Sequence, residues 1–364
     1  MKNRMYVDFH VLQTVPPSCV NRDDIGQPKT AVYGGTLRAR VSSQAWKHAM
    51  RRKFLELFPE EQVGKRTKKL VDFVAEYIAQ EDPSANAAQM AQKVLEAAKL
   101  KFKEDAKKAD KSPEAEALFF ISCAQAKALA HIAVAHPDMK YDAEECKKAL
   151  QENPSVDIAL FGRMAASNPE LNTDASAQVA HAISTHAVSN EYDYFTAVDD
   201  CSGEDNTGAG HLGTVEYNSS TLYRYATVNV ADLAQKLHGD TAMAVREFAE
   251  AFVRSMPTGK QNSFANATLP DVVYVSVRKD QPLNLCGAFE KAVRPSVNGN
   301  AGPSAAALKQ YAENLYEDYD APVKAMTVGK GMEEIAVKMS FHELLDALEE
   351  EVSGYLTDSA KEDQ

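Results

Sequence analysis

The sequence predicts an α+β fold, a sheet with helices on one side and a helical insertion hanging off it. Three features carry this. In "MYVDFHVLQTV", Met5, Val7, Phe9 and Val11 recur at period two, the pattern of a strand. Residues 66–152 are rich in Ala, Lys, Glu and Gln and nearly free of β-branched runs, which favours helices. Residues 192–230 set two β-rich arms, "YDYFTAV" and "TVEYNSSTLYRYATVNV", on either side of the polar "DDCSGEDNTGAGHLG", the layout of a long hairpin.

In chain order, the N-terminal strand gives way to "PPSCVNRDDIGQPK", a loop marked by Pro16, Pro17, Gly26 and Pro28. "AVYGGTLRARVS" reads as a loop or a short twisted strand about Gly34-Gly35. Ser42 or Ser43 then caps a helix through about Phe58, with Trp46, Ala49, Met50, Phe54 and Leu57 as its core stripe. Breaks near "EDPSAN", "DKSPE" and "AHPDMKYD" divide the insertion into about four helices. "ENPSVDIALFGRMAASNPELN" is expected to return to strand and turn. "DASAQVAHAISTHAV" leans to helix on length and alanine content. Beyond the hairpin come a helix in "TAMAVREFAEAFVRSM", a Gly-Lys loop and the strand "DVVYVSV". The tail from Glu333 holds ten acids and two lysines around the amphipathic "FHELLDALEEEVSGYL", a solvated helix face.

The 364 residues are 45% hydrophobic and 25% charged, ordinary for a globular protein. No run of about 18 apolar residues is present, so no membrane span is expected. The N-terminus lacks a continuous apolar segment and does not read as a signal peptide. Cys19, Cys123, Cys146, Cys201 and Cys286 are scattered and odd in number. They fit reduced thiols in a cytoplasm, not a disulfide framework or a zinc cluster. The formal net charge is -12, but it is unevenly spread. Residues 1–53 carry ten Lys or Arg against three Asp or Glu, and the remainder nets -19. Residues 25–55 hold seven Lys or Arg and no acid. Such asymmetry points to an anionic ligand at one place.

Most catalytic or cofactor motifs fail on context. "GAGHLG" at Gly208–Gly213 has the letters of a dinucleotide fingerprint, but it follows a polar loop and precedes strand-like residues. Gly259-Lys260 lacks the upstream glycine and the following Ser or Thr of a phosphate loop. Lys260 can still meet a phosphate as a point charge. His181 and His186 are five apart, off the spacing of a helical zinc pair. Asp23-Asp24 could hold a metal, but adjacent Asp residues in a Pro/Gly loop are usually turn or cap residues. No cofactor is expected.

The basic segment offers a better-formed chemistry. "RARVSSQAWKHAMRRK" puts Arg38 and Arg40 on one face of an extended run, then turns into a helix at Ser42-Ser43. The unpaired N–H groups of a helix start, the Ser hydroxyls and the Gln44 amide favour anions there. Lys47 and Arg51 share one helix face. Charged donors strung along an edge suit a polyanion backbone.

Taken with "PSCVNRDDIGQPKTAVYGGTLRARVSSQAWKHAMR", the blocks "VDIALFGRMAAS", "YFTAVDD", "HLGTVEY" and "YRYATVNV" make this sequence resemble the CasC family. CasC is the repeated backbone subunit of the type I-E CRISPR surveillance complex, Cascade. The likeness is close in residues 6–53 and 156–230 and poor in 60–150 and the tail. It implies an RNA-recognition-like, ferredoxin-type palm (1–58, 156–191 and 231–364), a helical finger insertion (59–155) and a β-hairpin thumb (192–230). It implies a non-catalytic scaffold that polymerises with further copies of itself along a guide RNA, displaces bases at intervals and presents the guide to a target DNA strand. Its other partners would be the large, small and guide-capping Cascade subunits, with no membrane. Carried over by motif, Arg22, Lys29, Arg38, Arg40, Ser42, Ser43, Gln44, Lys47, Arg51 and Lys260 look like guide-backbone contacts. Arg163 and Met164 look like contacts at the displaced nucleotide, and Phe195 and Leu212 like the wedge beside it. Lys140, Lys147 and Lys148 are candidates for target DNA. Thr36 and Leu37 depart from the pattern, standing where family members can carry basic residues. The rival implied by related type III subunits is a metal-dependent RNA nuclease using Asp23 or Asp24.

Overall fold

The computed structural model describes residues 4–103, 112–165, 168–197 and 211–362. Cys201 and the first glycines of "GAGHLG" lie outside them. The chain is a mixed α+β protein whose main sheet is mostly antiparallel. Its strands include β1 (Tyr6–Ser18), β2 (Thr30–Tyr33), β3 (Thr36–Val41), β4 (Ala182–Ser184), β5 (Glu191–Ala197), β6 (His211–Asn229), β7 (Val272–Arg278), β8 (Lys324–Gly329) and β9 (Val337–Lys338). Their order is β9-β8-β7-β1-β6-β4-β3-β2, with β5 paired to β6 alone. The pairings β1/β7, β7/β8, β6/β4, β3/β4, β2/β3 and β5/β6 are antiparallel, and β8/β9 is parallel.

The chain divides into two compact units. One holds the residues up to Met50 with Val179–Thr227 and Phe248–Glu351, and the other holds Arg51–Gln178, Val228–Glu247 and the residues from Val352 on. The expected insertion, 59–155, lies within the second.

In the first unit β1 is buried on both faces. Met5, Val7, Phe9 and Val11 fill one side, and Phe9 packs on Phe248 and Phe252 at ring distances of 5.5 and 6.1 Å. The polar residues of the alternation, Asp8 and His10, are just as buried and are held by tyrosines. Tyr225 Oη donates to Asp8 at 2.9 Å, the Leu283 N–H donates to its other oxygen at 2.9 Å, and His10 Nδ1 lies 2.8 Å from Tyr223 Oη. A buried polar group is tolerated only with such partners.

Asp8 and His10 titrate in opposite senses. Burial pushes the Asp8 carboxyl up from 3.8 to about 6. Burial, and then the Arg278 charge, pulls His10 down from 6.5 to about 3. Raising the pH from 3.8 to 6 therefore costs stability at Asp8, while raising it from 3 to 6.5 restores stability at His10. Between pH 3.8 and 6 the two contributions oppose each other in the native protein. Asp8→Asn removes one of the two, so its thermal midpoint should fall relative to wild type as pH drops from about 6 toward 3.8. Parallel midpoint curves for the two proteins would refute this linkage.

"AVYGGTLRARVS" is the β2–β3 hairpin. Gly34 and Gly35 have φ of +57° and +75°, as a two-residue hairpin turn of matching twist demands. Gly34 is also close-packed: a Cβ there would sit 1.6 Å from the Glu290 carbonyl oxygen.

The second unit packs the helices Leu70–Glu81, Ala87–Ala97, Cys123–Ala135 and Ala143–Gln151 about Val74, Ile78, Val94, Leu129 and Leu150. These are the helices expected of the insertion. Two short antiparallel pairs, Lys65–Thr67 with Phe119–Ile121 and Phe102–Lys103 with Glu114–Ala115, were not foreseen. Two further expectations are corrected. "SVDIALF" is a helix, Val156–Phe161, closed by Gly162 at φ +76°, not a strand. "DASAQVAHAISTHAV" forms short strands, Ala177–Val179 and Ala182–Ser184, because pairing with neighbouring strands outweighs the helix propensity of alanine.

Candidate nucleic-acid interface

Residues 19–29 form a tight loop closed by the Arg22–Pro28 bridge and by Lys29 N–H donating to the Asn21 carbonyl at 2.9 Å. Asp23 shapes it. Its Oδ1 accepts from the N–H groups of Ile25 (3.1 Å) and Gln27 (2.8 Å), the self-bonding that suits Asp to turns. Asp24 is exposed. No cluster of three or more metal-ligating residues is found among the described residues.

The loop lies against β3 and the start of helix α1 (Ser43–Leu57). Asn21 Oδ1 accepts from the Ser42 N–H at 2.9 Å, and Lys29 O accepts from the Arg40 N–H at 2.8 Å. Ser42 is the cap of α1, its Oγ accepting from the Ala45 N–H at 3.3 Å. No acid stands in the first turn. Arg40 lies half-buried, with Nε donating to the Thr30 carbonyl at 3.2 Å and Nη1 to His181 Nδ1 at 3.2 Å. A narrow cavity of about 20 Å³ opens here, its polar lining of Ser18, Asn21, Lys29, Arg40, Asn218 and Ser220 matched by apolar residues such as Val20, Val41 and Leu222. Lys260 reaches the same loop because Gly259 packs on the Val20 carbonyl, so closely that a Cβ would come within 2.1 Å. Both Lys260 and Arg22 act electrostatically on Cys19. Arg22, Lys29, Arg40, Ser43 and Lys260 therefore gather around one loop and one helix start. Gln44 is exposed on the first turn of α1, and Lys47 is half-buried one turn further, where burial lowers its pKa.

Four other cations expected as nucleic-acid contacts are used inside the protein. Arg38 is fully buried. Nε donates to Thr36 Oγ1, Nη1 to the Ser184 carbonyl and Nη2 to the carbonyls of Phe289 and Glu290. Arg38 and Arg40, two apart, share one face of β3; the Phe289–Glu290 segment covers Arg38, and Arg40 keeps to the rim. Thr36, a departure from the family pattern, is thus the partner of Arg38, while Leu37 is exposed. Arg51 donates to the fully buried Asp157 at 2.8 Å and to the Gly64 carbonyl at 3.1 Å, and it stacks 4.4 Å from the Phe120 ring centre. Arg163 is buried among the carbonyls of Leu171, Phe120 and Leu150 and the Gln125 amide oxygen. Lys147 is buried between Glu144 (2.9 Å) and Glu170 (2.6 Å). By contrast Lys140 and Lys148 are exposed beside Asp138 and Glu152 at 3.8 and 3.7 Å. Local sequence does not show which arginines are internal, because their carbonyl partners come from distant segments.

The hairpin projects. Every residue of β5 is exposed on both faces. Phe195 stands opposite Gly213, where a Cβ would meet its ring at 2.3 Å, so only glycine leaves room for the ring to lie across the strand. Leu212 lies opposite Thr196. Tyr192 and Tyr194, on the face away from Phe195, are 67% and 64% exposed, and sequence reasoning passed over them although their period-two spacing was visible. The base of the hairpin is tied to the basic loop through Glu216, which accepts from Gln27 Nε2 and from Asn190 Nδ2. Met164, next to buried Arg163, is 81% exposed.

The model of one protein family, described as CT1975-like protein, matches residues 7–351. The chain belongs to the CT1975-like family. Among solved structures, a subunit of a "CRISPR RNA-guided surveillance complex, pre-nicking" is 32% identical, covers 95% of this chain and 100% of its own, and superposes with a TM-score of 0.82. A subunit of a "CRISPR RNA-guided surveillance complex" is 28% identical over 94% of this chain and 99% of its own, with a TM-score of 0.71. A search of curated proteins gave no match. Among the described residues of this CT1975-like protein, no helix is long and apolar enough to cross a membrane.

Proposed function

We propose that this CT1975-like protein is a non-catalytic, guide-RNA-binding backbone subunit of a Cascade complex, of type I-E. The observation that carries the reading is the likeness, along nearly the whole chain, to subunits of CRISPR RNA-guided surveillance complexes. In this reading Arg22, Lys29, Arg40, Ser43, Gln44, Lys47 and Lys260 follow the guide phosphates. Such contacts fix position without reading sequence, which is left to base pairing. The β5–β6 hairpin is the thumb, with Phe195, Leu212 and Met164 beside a displaced base that apolar side chains hold whatever its identity. The sheet around β1, β6 and β7 is the RNA-recognition-like, ferredoxin-type palm. Lys140 and Lys148 of the finger face the target DNA strand. Further copies, the large and small subunits and the guide-capping subunits complete the assembly. The use of Asp23 Oδ1 in closing its own turn supports a scaffold over a nuclease.

Mass analysis of the complex purified with its guide tests this. Several copies per RNA are expected; a single copy per RNA, or no RNA, would overturn the reading. Incubation with complementary RNA and Mg²⁺ should leave that RNA intact. Site-specific cuts lost in Asp24→Ala would replace the scaffold by the nuclease.

A further inference from the structure

His181 is unclaimed by the reading above, yet it occupies the middle of the basic cluster. It immediately precedes β4, whose pairing with β3 sets Ala182 opposite Val41 and Ile183 opposite Arg40. That register brings the imidazole to Arg40 and to the start of α1. Its Nδ1 receives two donors, Arg40 Nη1 at 3.2 Å and the Ser43 N–H at 3.3 Å. Guanidinium and amide N–H groups only donate, so Nδ1 must present its lone pair and the ring must be neutral, with its hydrogen on Nε2. The arrangement puts an uncharged acceptor where the surrounding groups would hold an anionic oxygen. Burial, then Arg40, then Lys29, lowers the pKa of His181 from 6.5. Those two charges reach it from β3 and from the residue before β2, and both are cations.

We propose that His181 is a proton-linked contact of this interface: a guide phosphate takes the acceptor position between Arg40 and Ser43, and the displaced imidazole takes up a proton and becomes a further cationic donor to that phosphate. The inference rests on the RNA-binding reading. The sign follows from linkage. The bound form holds the proton more tightly than the free form, so affinity is highest at low pH and falls as pH rises through the interval between the two pKa values. A difference of about one pH unit between them amounts to about tenfold in affinity.

The full-length protein is titrated with a single-stranded oligouridylate, whose bases do not ionise near neutral pH, at constant ionic strength from about pH 5.5 to about pH 8. The wild-type dissociation constant should rise roughly tenfold over that range. His181→Asn keeps an acceptor oxygen toward Arg40 and Ser43 but cannot titrate, and its dissociation constant should change less than about twofold. The same pH profile in both proteins would overturn the proposal. Calorimetry of the wild type in buffers of different ionisation enthalpy gives a readout that needs no variant. Net proton uptake on binding, peaking at about half a proton per site for a one-unit difference between the two pKa values, is expected, and zero uptake would overturn the proposal. If neither protein bound the oligouridylate at any pH, the RNA-binding reading itself would fail instead.

Discussion

Replacing Arg163 by Met should destabilise the second unit by roughly 3–5 kcal/mol, because buried carbonyls that lose a donor cost about 1–3 kcal/mol each and little is returned by removing the charge. Arg163 Nε and Nη2 donate to Leu171 O at 2.9 Å and Leu150 O at 2.6 Å, and Nη1 is shared between Phe120 O and Gln125 Oε1 at 3.1 Å each. The guanidinium also lies 4.8 Å from the Phe119 ring centre. Its donors face carbonyl and amide oxygens rather than a carboxylate. Burial brings its pKa down to about 10, which still leaves it cationic at neutral pH. One side chain thus ties four segments of the unit together, and methionine can fill the volume but make none of the bonds. Urea unfolding of Arg163→Met, with hydrogen exchange followed over residues 51–178, checks this. A normal midpoint together with weakened RNA binding would return Arg163 to the displaced nucleotide. Met164→Ala, at the neighbouring exposed position, should leave the midpoint within about 0.5 kcal/mol of wild type.

The same residue shows where sequence reasoning stops. "FGRM" is carried over as a unit, but Arg163 points in and Met164 points out. Direction depends on the Val156–Phe161 helix and the Gly162 turn, and the residues before them were expected to be a strand. Arg38 and Arg40 pose the same problem in β3: the period of two was assigned, yet the face that meets the interior is decided by β4 and by the Phe289–Glu290 segment, some 250 residues away. The local signals were sound where the chain itself decides the outcome. The period of β1, a helix cap at Ser42 or Ser43 and the breaks between the insertion helices are legible, whereas the β2–β3 hairpin reads only as a loop or short twisted strand about Gly34-Gly35. In the sequence, His181 reads only as half of a failed zinc spacing. Its place beside Arg40 follows from strand register, which no single-sequence pattern supplies.

Arg22→Ala with Lys29→Ala should weaken binding of guide RNA roughly tenfold or more at about 0.15 M salt, taking each lost phosphate contact at about 1 kcal/mol. Both residues belong to the loop joined to Ser42 and Arg40, and neither is in an ion pair among the described residues, so little of the fold depends on them. The log–log salt dependence should flatten by about 1.4, near 0.7 for each phosphate contact to a single strand. The loss should be equal for all sequences, since phosphate contacts carry no base information. Arg51→Ala supplies the contrast. It strips a partner from buried Asp157, so its effect belongs in the unfolding midpoint, with the salt slope of RNA binding unchanged. If Arg51→Ala flattened the slope and the Arg22/Lys29 pair did not, the guide path would run along the C-terminal half of α1 instead of past the Arg22–Lys29 loop. A cation already held by a buried carboxylate has lost the water and counterions whose release drives polyanion binding, whereas one at an open loop still has them to give up.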